Sequence, residues 1–133
     1  DADFVCCLYA TAPFVRAADL IEAYRTISAN DWQYVFSAAE YSSSIFRSFK
    51  QTEALGVNMF FPEYFEVRSQ DLPHALHDAG MFYIGRCDAW LQGLKIFDDH
   101  SFPIRIPSWR VQDIDTPEDW IQAEKMAKYL LDF

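Results

Sequence analysis

The sequence predicts an α/β domain on a largely parallel sheet. Three observations carry this: a short apolar run near the start, an amphipathic helical pattern leading into a second apolar run, and a late helix whose beginning is marked by its capping residues. Strand, helix, strand in that order is the βαβ unit of parallel sheets.

Phe4 to Ala10, FVCCLYA, is too short for an ordinary helix and apolar without alternation, the pattern of a strand buried on both faces. Thr11 to Pro13 break it. Leu20, Ile21, Tyr24 and Ile27 then recur at helical spacing, with Asp19 and Glu22 early, and SAND ends that helix. Tyr34 to Ala39 reads as a second strand. Residues 40–76 keep neither period and are dense in aromatics: Phe46, Phe49, Phe60, Phe61, Tyr64 and Phe65. So apolar an irregular segment is expected to pack on something, either a partner subunit or its own domain. Met81 to Gly85 resumes as a strand, and Cys87 to Leu94 as a short helix. Phe102, Ile104 and Ile106 alternate with Pro103, Arg105 and Pro107, a strand near a sheet edge, where proline is tolerated. Thr116 as N-cap, Pro117 at the first helical position and Asp119 completing the box open the last helix. Its expected buried stripe is Trp120, Ala123, Ala127, Leu130 and Leu131.

With 133 residues and 51% apolar content the chain fits one domain or most of one. A formal charge of -9 argues against a nucleic-acid or anionic-membrane surface, since phosphate binding needs clustered Lys and Arg. No run approaches the roughly 18 apolar residues of a membrane span, and DADFVCC lacks the features of a signal peptide, so a cytoplasmic setting is expected. Cys6, Cys7 and Cys87 lack metal-ligand spacing and read as buried thiols. A chain that lacks an initiating methionine and enters a strand almost at once reads as a fragment whose N-terminal part is absent.

Two patterns bear on chemistry. In RVQDIDTPEDW, Asp113 and Asp115 stand two apart; on a strand they would share a face, and their mutual repulsion would turn favourable around a divalent cation. Aspartate and threonine ahead of a helix are equally ordinary capping residues. Arg47, Lys50 and Arg68 are basic groups in or beside the irregular segment and natural partners for a carboxylate or phosphate, or simply solvated charges. Thr11, in the turn after the first strand, sits where open α/β sheets place ligands, or in a plain turn. His74, His77 and His100 lack metal spacing, and no nucleophile is placed beside them.

Four stretches in order, YATAPF at 9–14, RSQDLP at 68–73, HDAGMFY at 77–83 and VQDIDTPEDW at 111–120, resemble the C-terminal part of the acylneuraminate cytidylyltransferases, most closely their pseudaminic acid branch. The resemblance implies a three-layer, Rossmann-like nucleotide-diphospho-sugar transferase fold with a mixed, mostly parallel sheet and its N-terminal strands missing. It also implies a homodimer, with residues 40–76 as a dimerisation and sugar-binding arm. The implied reaction is Mg2+-dependent transfer of CMP from CTP to a nonulosonic acid, releasing pyrophosphate. It assigns the cation to Asp113 and Asp115. It sets Tyr9, Thr11, Arg47, Lys50, Arg68, Gln70, His77, Tyr83 and Phe97 as substrate contacts, with Arg68 on the sugar carboxylate.

Departures from the family pattern cluster on the sugar. Tyr9 stands where sialic acid enzymes carry glutamine, Arg68 is followed by Ser69 where they often read Arg-Arg-Gln-Asp-Leu-Pro, His77 replaces an arginine, and Ala79 an asparagine. They favour a differently decorated sugar such as pseudaminate; legionaminate, N-acetylneuraminate and 3-deoxy-octulosonate are the alternatives. The family's glycine-rich, basic triphosphate loop does not occur in these residues, so the chain alone is expected to be inactive. The competing expectation is a noncatalytic dimerisation module.

Overall fold

The computed structural model describes residues 2–130, which divide into two compact units: one formed by the stretches up to Ala39 and from Asp78 onward, the other by Glu40–His77. Leu131, expected on the last helix, lies outside the described residues.

The first unit is built on a four-stranded sheet in the order β1-β5-β2-β6. Its elements are β1 (Phe4–Leu8), α1 (Ala17–Ala29), β2 (Tyr34–Glu40), β5 (Leu76–Arg86), α2 (Cys87–Gln92), β6 (Ser101–Arg105) and α3 (Pro117–Leu130). β1 pairs with β5 antiparallel, and β2 with β6 parallel. The Arg86 N–H meets the Gln33 carbonyl while Ser37 faces Phe82, so β5 also runs against β2. β1, β2 and β6 therefore point one way and β5 the other, a mixed α/β sheet compatible with a nucleotidyltransferase-like fold.

One expectation is not met among the described residues. In the sheet of the described residues β1 lies at an edge and is not buried on both faces: Val5 is 45% and Leu8 51% exposed. Cys6 and Cys7 are exposed and Cys87 half-buried, so the expected buried thiols are not found. An unbroken apolar run reports that a strand is compatible with burial; which neighbour arrives beside it is settled by distant sequence. β6, by contrast, lies at a sheet edge as its prolines require.

β2 alternates across the sheet. Val35 enters a core with Phe82 and Ile84 of β5, Ile104 of β6, Ala23 and Ile27 of α1 and Ala123 of α3. Each buried Val, Ile or Phe side chain among them stabilises the fold by roughly 1.5–3 kcal/mol. Tyr34 and Phe36 turn to the other face, where Tyr34 meets Trp90 edge-on at 5.0 Å and Phe36 meets Phe97 at 5.1 Å. Gly85 permits that packing, because a Cβ there would lie 2.4 Å from Trp90 Nε1 and 2.6 Å from the Tyr34 ring. Ser37, fully buried, stays satisfied by accepting the N–H groups of both Met81 and Phe82.

The helical stripes are found in part: Leu20 and Ile27 of α1 and Ala123, Ala127 and Leu130 of α3 lie in or against the core. On α1, Ala23 and Ile27 are buried while Ile21 and Tyr24 are exposed; on α3 only Ala123 is fully buried and Trp120 is 58% exposed. The start of α3 is as read: the Thr116 N–H and hydroxyl both donate to Asp119 Oδ2, at 2.8 and 2.7 Å, and the Asp119 N–H donates back to Thr116 Oγ1.

In the second unit, the segment read as irregular holds a small hairpin, β3 (Phe49–Gln51) with β4 (Val57–Met59), between 3-10 turns. Leu55 forms its tip in the left-handed region at φ 63°. Phe46 packs on Phe61 and Tyr64, at 5.3 and 4.7 Å between ring centroids. Phe49, Leu55, Val57, Phe60 and Phe65 remain exposed.

Candidate functional site

The turn after β1 and the segment ahead of α3 are tied together by one ion pair. Arg110, in the 3-10 turn Ser108–Arg110, lays its guanidinium on Asp19: Nη1 lies 2.6 Å from Oδ2 and Nη2 2.8 Å from Oδ1. Nη1 also donates to the Phe14 carbonyl at 3.0 Å, and Asp19 accepts the Arg16 N–H at 2.9 Å. Both side chains are buried, at 6% and 11% exposure. YATAPF and the aspartate segment are thus held by a bidentate, charge-assisted contact.

The period-two argument for Asp113 and Asp115 does not apply, because residues 111–115 form no strand among the described residues. The turn at Ser108–Arg110 has already taken the chain off the sheet. Both aspartates are exposed. Asp113 is placed instead by β5. Gly80 is left-handed at φ 63°, and a Cβ on it would lie 3.3 Å from Asp113 Cγ and 3.4 Å from each carboxylate oxygen. Asp113 Oδ1 also accepts the Ile114 N–H at 3.0 Å. Asp115 gives its N–H to Asp119 Oδ2, so the capping carboxylate of α3 is Asp119, and the Asp115 side chain is not used for that purpose.

These residues suit a hard divalent ion that keeps other ligands: two exposed carboxylates, one in a cradle that any side chain on Gly80 would fill. Among the described residues, no group of three or more His, Cys, Asp or Glu side chains is arranged as a metal cage. Water and substrate oxygens would complete the shell.

Beside this cradle runs a row of aromatic rings. Tyr9 and Tyr83 lie 5.4 Å apart, Tyr83 stacks on Phe36 at 6.4 Å, and Phe36 meets Phe97. Tyr9 and Phe97 are exposed, Tyr83 buried. Thr11 is exposed in the turn that the Ala12 N–H closes on the Tyr9 carbonyl. Sequence reasoning missed Asp78, whose Oδ1 accepts the Gly80 N–H at 2.9 Å while Oδ2 accepts the Tyr83 hydroxyl. Asp-Ala-Gly is the pattern of an aspartate bonding its own backbone two residues on, a signal present in HDAGMFY. Burial first, then Asp78 and the Tyr9 hydroxyl, push the Tyr83 phenol well above the usual range.

Arg47, Lys50, Arg68, Gln70 and His77 belong to the second unit. The Arg47 fork is engaged by the Phe65 carbonyl at 2.7 Å and by the Val67 carbonyl, so it anchors the loop that leads to Arg68. Lys50 is exposed opposite Asn58 in the hairpin. Arg68 is exposed at the head of the turn Ser69–Asp71. Gln70 lines a cavity of about 170 Å³ with Tyr41, Ser44, Ser69 and His74, and the His77 ring packs on Tyr41 at 4.9 Å.

Sequence comparison finds relatives among the cytidylyltransferases of pseudaminic and acylneuraminic acids, to which this chain is similar over part of their length. No family model matches it. The particular relatives are, first, the pseudaminic acid cytidylyltransferase of Campylobacter jejuni, 44% identical over 95% of this chain and 54% of the relative. A Helicobacter pylori protein named pseudaminic acid cytidylyltransferase and UDP-2,4-diacetamido-2,4,6-trideoxy-beta-L-altropyranose hydrolase is 36% identical over 86% of the chain and 22% of that protein. N-acylneuraminate cytidylyltransferase B of Danio rerio is 27% identical over 94% of the chain and 30% of that protein. The chain spans about half the length of the Campylobacter relative. No helix among the described residues is long and apolar enough to cross a membrane.

Proposed function

We propose that this chain is part of a cytoplasmic cytidylyltransferase that transfers CMP from CTP to a nonulosonic acid, pseudaminic acid foremost, releasing pyrophosphate. The observation that carries it is the Asp113 carboxylate seated on Gly80 beside the Tyr9–Tyr83 pair, within a chain 44% identical to pseudaminic acid cytidylyltransferase. The proposed architecture is the three-layer, Rossmann-like sugar-nucleotide transferase fold.

In the proposed reaction the anomeric hydroxyl of the sugar forms a bond to the α-phosphorus of CTP as the bond to pyrophosphate breaks. The protein's work is positioning and charge neutralisation. Asp113 and Asp115 would hold Mg2+, which supplies positive charge for the phosphate oxygens. Tyr9, Thr11, Tyr83 and Phe97 are the proposed sugar contacts of the first unit. Arg68 is the proposed carboxylate contact of the second, with Lys50, Gln70 and His77 as polar contacts; Arg47, through its carbonyl bonds, steadies the Arg68 loop. With the glycine-rich triphosphate loop absent from these residues, turnover is proposed for the full-length polypeptide. The exposed apolar side chains of the hairpin support a homodimer arm at residues 40–76.

The test is pyrophosphate release by the full-length polypeptide with CTP, Mg2+ and each of pseudaminate, legionaminate, N-acetylneuraminate and 3-deoxy-octulosonate. Highest kcat/KM on pseudaminate supports the proposal. Turnover of none of the four, with a concentration-dependent dimer, would establish the assembly module instead.

A further inference from the structure

We propose that Asp78 is a positioning residue for the cation cradle: its carboxylate ties the Gly80 turn to the buried Tyr83 hydroxyl and so fixes the surface on which Asp113 rests. The proposal rests on the reading of Asp113 as a cation ligand and adds the residue that aims it.

The contacts run in one line from the sheet to the cradle. Tyr83 is 4% exposed, its ring stacked on Phe36 and its backbone paired with Cys7 of β1, so its hydroxyl is a fixed point. Asp78 Oδ2 accepts that hydroxyl, and Oδ1 accepts the Gly80 N–H at 2.9 Å. Glycine enters the left-handed region without steric cost and leaves it as readily, so φ 63° at Gly80 needs something to hold it. An aspartate bonded to the N–H two residues on supplies that hold. The other side of Gly80 meets Asp113. A Cβ on Gly80 would lie 3.3 Å from Asp113 Cγ and 3.4 Å from each oxygen, distances so nearly equal that the carboxylate lies face-on over residue 80. Carboxylate lone pairs lie in the plane of the group, so they point along this floor and are not blocked by it. Oδ1 uses one on the Ile114 N–H at 3.0 Å, and the rest face outward to a cation. A tilt of the Gly80 peptide would turn that plane. Among the described residues no three His, Cys, Asp or Glu side chains converge on a metal position, so Asp78 acts through Gly80 and not as a third ligand.

Mn2+ titration of the full-length polypeptide, read by electron paramagnetic resonance without sugar or nucleotide, tests this. Asp78→Ala removes both bonds, and Mn2+ affinity is expected to fall about tenfold, the lower end of what losing the support of a metal ligand costs. Asp78→Asn should recover most of that loss, because the amide oxygen still accepts the Gly80 N–H and the N–H2 can donate to the Tyr83 oxygen. In an Asp113→Asn background Asp78→Ala should cost nothing further, since its effect passes through Asp113. Unchanged affinity in Asp78→Ala, equal losses in the Ala and Asn variants, or full additivity with Asp113→Asn overturns the proposal and leaves the cation reading standing. Parent-like affinity in Asp113→Asn alone brings down the cation reading, and this proposal with it. Should Asp78→Ala fail to fold, Tyr83→Phe carries the test: it removes the anchor and keeps the Gly80 bond, so affinity should fall by a smaller factor, and an unchanged value is the overturning result.

Discussion

The backbone of Gly80 forms the floor under the Asp113 carboxylate: a single added carbon at residue 80 would lie 3.3 Å from Asp113 Cγ. Gly80→Ala therefore combines a left-handed backbone penalty, about 1–2 kcal/mol, with displacement of the carboxylate. Urea unfolding is expected to show that loss of stability, and Mn2+ affinity of the full-length polypeptide, read by electron paramagnetic resonance, should fall with it. Unchanged Mn2+ affinity in Gly80→Ala would mean that Asp113 holds no ion.

Asp113→Asn and Asp115→Ala should behave differently from Gly80→Ala. Both side chains are exposed, so melting temperatures should stay within a degree or two of the parent, surface changes being worth about 0.5 kcal/mol or less. Nucleotide-dependent Mg2+ binding by calorimetry should weaken at least tenfold in each. A variant that binds Mg2+ and CTP normally would remove its residue from the site.

Asp19 and Arg110 form a buried pair whose stabilisation depends on the ionised carboxylate. Burial alone would raise the Asp19 pKa, but the hydrogen bonds and charge of Arg110, with the Arg16 N–H, outweigh it and hold the carboxyl below its ordinary value. A depressed native pKa means stabilisation that is complete above the unfolded value, about 3.9, and lost as pH falls through the native one. Urea midpoints should therefore decline below about pH 4, and Asp19→Asn should flatten that decline while costing about 3 kcal/mol at neutral pH, since it leaves Arg110 buried and unpaired.

The hairpin exposes Val57 at 62%, Phe60 at 57% and Leu55 at 78%. If residues 40–76 form the dimer arm, Val57→Asp with Phe60→Asp should shift the protein from dimer to monomer in sedimentation, with the far-ultraviolet circular dichroism preserved. A dimer that survives both changes would place the interface elsewhere.

Much of this was legible because it is local. The start of α3 follows from Thr116, Pro117 and Asp119 within four residues, and the edge position of β6 follows from its prolines. The aspartate pair was visible, but the reason for its placement was not: a strand was expected to aim both carboxylates, whereas Gly80, more than thirty residues earlier, seats only Asp113. Asp78 was passed over although Asp-Ala-Gly signals a backbone-bonding turn, because its second partner, Tyr83, is found only once β5 is bent at Gly80.

Capping, prolines and apolar periodicity act between neighbours in the chain, so the sequence by itself determined the α/β class, the order of the first unit's elements and the family likeness. Strand order was decided only in three dimensions. β5 lies between β1 and β2 because pairing and packing are non-local, and that choice brought Asp78, Gly80 and Tyr83 beside Asp113 and Tyr9.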